Sequence, residues 1–295
     1  MLENTASKKD VFSAILYLLT AALLFSVMGI CVRYASTTVD HYTTVFFRNV
    51  VGMLIFIPML FQKGINFFKT DQLWMHTWRS VIGLTSMYAF FYALAHLKLS
   101  NAMVFSYSSP IFIPLIAWLF LKERISKAAI CAALIGLIGV LLVAKPDQGM
   151  LSLMSLVGLL ASFCSAMAFV TVRALTDTEP VERIVFYFCL IGSAISAVPA
   201  LWHWHHLSWH ALSLLVIAGL LANISQLFMS KAYSLAPASQ IGPVNYVAII
   251  FAVMWGYLFW HELPDRSSIY GFVLILISLL LCNLRLKSSK RLSVS

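Results

Sequence analysis

Asn101 to Glu123 reads NAMVFSYSSPIFIPLIAWLFLKE, and Gln240 to Glu262 reads QIGPVNYVAIIFAVMWGYLFWHE. Laid over one another at an offset of 139, the two stretches match Tyr107 with Tyr246, Ile111-Phe112 with Ile250-Phe251, Leu119-Phe120 with Leu258-Phe259 and Glu123 with Glu262. Each is apolar over the roughly 20 residues that a helix needs to cross a bilayer core. A membrane span has therefore been written twice, with the same acidic stop.

The correspondence extends outward. Ala93 falls on Ala232 and Ser100 on Ser239; at an offset of 140, Ala21 falls on Ala161, Val32-Arg33 on Val172-Arg173, Phe46 on Phe186 and Gly52 on Gly192. Leu, Ile and Val matches are cheap in so apolar a chain, so the Arg, Glu, Tyr and Gly coincidences carry the case. Residues 1–150 and 151–295 read as two copies of one unit.

Of the 295 residues 61% are hydrophobic and only 11% charged, with mean hydropathy +0.90, whereas soluble domains average about 25% charged. That composition excludes a soluble protein. Apolar runs between polar punctuation give ten spans, at 11–33, 41–61, 74–95, 101–121, 128–144, 152–174, 184–202, 210–230, 239–260 and 268–285. They leave no room for a separate catalytic or ligand-binding domain. An odd number of spans per copy makes the second copy enter from the opposite face, so the expected fold is all-α, ten transmembrane helices in two inverted five-helix repeats.

Net charge +9 raises the question of nucleic acid, but position answers it. With a cytoplasmic N-terminus, fifteen Lys and Arg fall in inside loops, only Arg33, Lys98, Lys145 and Arg266 outside, and Arg48 inside a span. The positive-inside rule then places both termini in the cytoplasm, and no nucleic-acid partner is needed to explain the charge. Arg79 reads as one of these inner anchors. The five Cys lie in apolar runs without CxxC spacing, so they read as small lipid-buried hydrophobes.

Five-plus-five spans, the Phe46-Phe47-Arg48 run, Ser108-Ser109-Pro110 followed by Glu123, and the echo at Glu262 resemble the EamA-like branch of the drug/metabolite transporter superfamily. Within it there is a looser similarity to S-adenosylmethionine carriers. The resemblance implies a secondary transporter in a bacterial cytoplasmic membrane. Ile249 stands where Pro110 has its repeat mate, so functional symmetry does not follow there.

No carboxylate lies at mid-span, and HExxH, GxSxG and Walker patterns are absent, so neither a membrane hydrolase nor an ATP-driven pump finds its parts. The expectation is no enzyme, no cofactor and no metal. Arg48 stands about 10 Å inside its span at 1.5 Å per residue. It either pairs with a substrate carboxylate or snorkels to the interface and bonds a neighbour.

Polar residues in the fourth, eighth and ninth spans, namely Asn101, Tyr107, Ser108, Asn223, Gln226, Asn245 and Tyr246, with Tyr88 of the third, map a candidate substrate path. Asn223 and Gln226 share a helix face. Tyr88, Tyr107 and Tyr246 also have the chemistry of an aromatic cage for a cation or flat ring. Pro110 and Pro243 read as bends for gating, and Glu123 and Glu262 as loop fasteners or gates.

The reading is a non-ATP transporter of a small polar or zwitterionic metabolite, an amino acid or S-adenosylmethionine, working by alternating access and as an exchanger. A proton-coupled exporter and a non-transporting scaffold are the alternatives. Its partners are a small-molecule substrate and the lipid bilayer, and oligomeric state has no signature in the sequence.

Overall fold

The computed structural model describes residues 8–96, 104, 107–123, 125–145, 153–204, 206–261, 263 and 265–288. Asn101 and Glu262 lie outside the described residues. The described segments are helical or connecting, without a strand among them, and fall into ten helical segments.

In chain order these are α1 (Lys8–Ala35), α2 (His41–Lys63), α3 (Leu73–His96), α4 (Ser109–Leu121), α5 (Lys127–Ala144), α6 (Leu153–Leu175), α7 (Val181–Trp202), α8 (Trp209–Leu235), α9 and α10 (Arg266–Ser288). The ninth is composite. A short turn of helix (Ala238–Ile241) and a tight 3-10 stretch (Gly242–Tyr246) lead into a regular helix (Val247–Trp260). Pro243 enters the 3-10 stretch, as the expected break requires, because proline cannot donate to the preceding turn.

Capping sets several boundaries. Asp40 accepts from the Thr43 amide, Ser126 from Ala129 and Ser208 from Ala211, which satisfies amides that a helix start leaves open. The repeat appears in backbone geometry as well. Lys122 ends α4 with φ 55°, ψ 27°, and His261 ends α9 with φ 55°, ψ 28°, each directly before a repeat-related glutamate. Two non-glycine residues in the left-handed region 139 positions apart require the same local chain path.

The helix pairs obey the same rule. α3 packs on α6 as α8 packs on α1; α4 packs on α6 as α9 packs on α1; α2 packs on α8 as α7 packs on α3; α2–α7 and α5–α10 join equivalent helices. Each pairing recurs when both members are moved five helices along, which is the packing of two inverted five-helix repeats. α2 packs on both α7 and α8, and α3 on α7, so these four helices form one contiguous group.

Seven of the helices are long and apolar enough to cross a membrane, and Ser109–Leu121 and Arg266–Leu281 are shorter apolar helices. α3 is less apolar because His76, Arg79 and Ser80 sit in its first half. All three are buried against other helices, so the outer surface remains apolar: Leu54, Ile57 and Phe61 on α2 and Leu115, Trp118 and Leu119 on α4 face outward.

Two helix crossings, α2 with α8 and α2 with α7, depend on three glycines. A Cβ on Gly52 would stand 2.3 Å from the Asn223 side chain, one on Gly192 2.6 Å from Asn49, and one on Gly219 2.7 Å from Val51. These contacts bring α2 against α8 and α7 at the middle of the bundle.

Candidate functional site

The polar layer at mid-bundle is built from the helices that those glycines draw together. Asn223 of α8 is 2% exposed and donates to the main-chain carbonyls of Arg48 (2.7 Å) and Gly219 (2.8 Å). Its Oδ1 accepts from the Cys189 thiol at 2.8 Å. Cys189 is thus part of the bundle's polar centre rather than a lipid-facing hydrophobe, which corrects the sequence reading at this position.

Arg48 enters the layer from α2. Its Nη1 donates to the Met87 sulfur at 3.4 Å, and its guanidinium carbon lies 5.5 Å from the Phe25 ring centroid. A thioether is a weak acceptor, so this cation is underused. Arg48 is half-buried.

Arg79 enters from α3 and is 3% exposed. Nη2 donates to Gln226 Oε1 at 3.0 Å, the Phe188 ring covers the guanidinium at 3.6 Å, and Nε and Nη1 have no hydrogen-bond partner. The expectation of an inner topology anchor fails here: the residue faces the bundle rather than the interface. The signal was present in the sequence, since His76, Arg79, Ser80 and Gly83 follow i, i+3, i+4, i+7 and share one face. Gly83 faces the same group: a Cβ there would stand 3.2 Å from the Phe188 ring and 3.5 Å from Arg79 Nη1. The two arginines act on one another electrostatically, and among the described residues no carboxylate pairs with either.

Both ends of this layer are covered. At the end where α2 passes to α3, Glu179 accepts from the Thr70 hydroxyl at 2.5 Å and from Arg183 Nη1 at 2.6 Å, and Arg183 also donates to the Phe67 carbonyl. His76, 1% exposed, stacks on Tyr187 at 4.6 Å with Nε2 3.9 Å from Glu179. At the opposite end Tyr42 stacks on His203 at 4.4 Å and lies 6.0 Å from Tyr88, while Phe47 stacks on Trp204. Trp202 and Trp209 are outward-facing there, as an interfacial aromatic belt requires.

The remaining expected site residues take these places. Tyr88 lines a groove of about 320 Å³ between α3 and α7 with Val81, Leu84, Thr85, Ala89 and Ile195, and its hydroxyl is buried without a partner. Asn245 donates to Tyr233 Oη and to the Gly242 carbonyl, both at 3.0 Å. Ser108 donates to the Val104 carbonyl, Tyr107 packs beside Val140 and Ile275, and Pro110 begins α4.

Tyr246 is fully buried against Gly136, and its hydroxyl donates to the Ala133 carbonyl, so it fastens α9 to α5 and does not reach the arginine layer. No common cage gathers Tyr88, Tyr107 and Tyr246. In the arginine layer the rings that meet cations, Phe188 and Phe25, meet the protein's own Arg79 and Arg48, and outside it Trp260 meets Arg33 and Phe67 meets Lys63 and Arg183. Glu123 accepts from the amides of Ala238 (3.2 Å) and Ser239 (3.0 Å) and lies 3.8 Å from Arg173, so it caps the start of α9. Among the described residues no three His, Cys, Asp or Glu side chains gather as metal ligands.

Comparison with known proteins agrees with this architecture. The model of the EamA-like transporter family matches twice, over residues 12–145 and 152–284. The chain is 33% identical over 269 residues to the pseudopaline exporter CntI of Pseudomonas aeruginosa, covering 90% of this chain and 94% of that one. It is 25% identical over 268 residues to the S-adenosylmethionine uptake transporter of Rickettsia felis, covering 91% of each. One crystal structure superposes with a TM-score of 0.79 at 20% identity, covering 94% of this chain and 99% of that one, and so shares the fold. With the family model matching each half and the helix pairs swapped between the halves, the chain belongs to the EamA-like transporter family and is a membrane transporter rather than an enzyme.

Proposed function

We propose that the protein is a secondary transporter of the bacterial cytoplasmic membrane that moves a small metabolite bearing a carboxylate, with Arg48 as the group that binds it. The observation that carries this reading is a half-buried arginine, seven residues into α2, whose side chain has among the described residues only a sulfur atom as hydrogen-bond partner. Burying an arginine costs roughly 2.5–3.5 kcal/mol on insertion scales, and a substrate carboxylate offsets that cost through two parallel charge-assisted bonds. Asn223 holds the Arg48 backbone, so the guanidinium is presented from a fixed main chain.

Alternating access supplies the mechanism. Residues 1–150 and 151–295 act as two repeats that rock at the Gly52, Gly192 and Gly219 crossings. The Glu179–Arg183–Thr70 cluster closes one end and the Tyr42–His203 stack the other. The distribution of Lys and Arg assigns the Glu179 end and both termini to the cytoplasm. The relatives' names describe an exporter and an uptake transporter, so direction is set by gradient, and exchange of one solute for another fits a carrier without a mid-span carboxylate. Amino acids and S-adenosylmethionine are the substrates to try first.

The test is ligand-dependent thermal stabilisation of purified protein across a metabolite panel, because a ligand that binds only the folded state raises stability by mass action. Stabilisation by carboxylate-bearing compounds, weakened in Arg48→Ala, is the expected result; no stabilisation by any compound favours a scaffold. A second reading, proton-coupled export, is favoured by one observation: His76 is buried within 3.9 Å of Glu179 with both ring nitrogens lacking a hydrogen bond. It requires that an imposed pH gradient drive accumulation in wild type and not in His76→Gln.

A further inference from the structure

We infer that the layer is a two-point anion site, in which Arg48 and Arg79 each take one acidic group of a substrate that carries two. This rests on the carrier reading above and narrows its substrate class to dicarboxylates and amino acids with an acidic side chain.

Arg79 carries the inference. A guanidinium has five N–H donors, and here one group is bonded to a neutral amide, Gln226, while Nε and Nη1 have nothing, although the residue is 3% exposed. A buried structural arginine ordinarily has a carboxylate, because leaving a charged donor unsatisfied is among the costliest things a protein interior does. Among the described residues this one has none. What covers the guanidinium is Phe188, a ring held to it by no hydrogen bond, and Gly83 lets that ring lie close, since a Cβ there would stand 3.2 Å from it.

The two cations approach the layer from opposite ends. Arg48 lies seven residues into α2 and Arg79 six residues into α3, about 10 Å and 9 Å deep at 1.5 Å per residue on antiparallel helices. They therefore enter the layer from its two sides, and Gln226 and Asn223, which share a face of α8, touch one each: Gln226 the Arg79 side chain and Asn223 the Arg48 carbonyl. A single carboxylate leaves one of them unpaired, whereas a diacid neutralises both.

The experiment compares ligands that differ by one charge. Thermal melting of the purified full chain is measured against L-glutamate and L-glutamine, and against succinate and its monoamide succinamate. In wild type each diacid binds at least about tenfold more tightly than its amide, as expected for one added charge-assisted pair. In Arg79→Gln the ratio falls below about threefold, and Arg79→Lys, which keeps a point charge without the planar fork, restores part of it. Melting of the unliganded variants reports whether they fold, and the wild-type ratio stands without them. Equal binding of diacid and amide in wild type overturns the two-point site and leaves the carboxylate carrier intact. If no carboxylate, single or double, shifts the wild-type melt, the carrier reading of Arg48 fails and this inference fails with it.

Discussion

Arg79 on α3 and Gln226 on α8 meet at 3.0 Å, joining a helix of the first half to a helix of the second through a cation and a neutral amide. An amide bonds an arginine without neutralising it. That choice leaves the charge available to a ligand and joins the two halves by one charge-assisted bond of about 1.5–3 kcal/mol.

Gln226→Glu converts this contact into an ion pair. The expected outcome is a protein that melts at a higher temperature and transports at least about tenfold more slowly, because an internal carboxylate occupies Arg79 permanently. Melting and flux measured on the same preparation check it. A loss of both would mean that the site tolerates no added charge.

Gly52→Ala tests the central crossing. The added methyl would lie 2.3 Å from Asn223 Nδ2 and 2.5 Å from its Oδ1, which forces α2 and α8 apart and strains the hold on Arg48. Destabilisation of about 1–3 kcal/mol is expected, as for overpacking generally, together with loss of flux. Gly29→Ala is the control: nothing lies within 4 Å of its Cβ, and the melt should shift little.

Glu123→Ala removes the acceptor for two amides at the start of α9 and the neighbour of Arg173. A cost of about 0.5–2 kcal/mol is expected, as for helix capping groups. Glu123→Gln keeps an acceptor and should recover much of it, read as the melting temperature of the three proteins side by side.

Asp265, outside the spans, gives the pH dependence. Lys145 beside it, and then the Ser268 hydroxyl and amide, hold its carboxyl below its ordinary 3.8, at about 2. A lowered pKa contributes stability above the unfolded value that is lost as pH falls through the folded one, so the contribution fades between about pH 4 and pH 2. The pair is exposed and its effect small. The melting difference between wild type and Asp265→Asn should be present at pH 6 and shrink towards pH 2.

Much of this was legible before any coordinates. The repeat was carried by rare matches such as Glu123 with Glu262, and the ten spans by hydropathy alone. The shared face of Asn223 and Gln226 followed from their spacing, and both prove buried in the centre. Arg79 was misread because counting positive charges near helix ends cannot separate an interfacial arginine from one whose helix face is covered; only the packing of α7 on α3, with Gln226 of α8 reaching the guanidinium, decides it. Tyr246 looked equivalent to other polar span residues, yet a glycine on another helix, Gly136, provides the slot that buries it. Cys189 gained its polar role from Asn223, 34 positions away, a relation that no local pattern contains.

The central claim, a carrier whose Arg48 binds a carboxylate, is tested most directly by counterflow. Proteoliposomes of wild type and Arg48→Ala are preloaded with unlabelled solute and offered labelled S-adenosylmethionine or labelled amino acids, acidic ones included. The account predicts uptake in wild type for at least one carboxylate-bearing solute, stimulated by preloading and abolished in Arg48→Ala. Uptake that proceeds at the wild-type rate without Arg48 would contradict it.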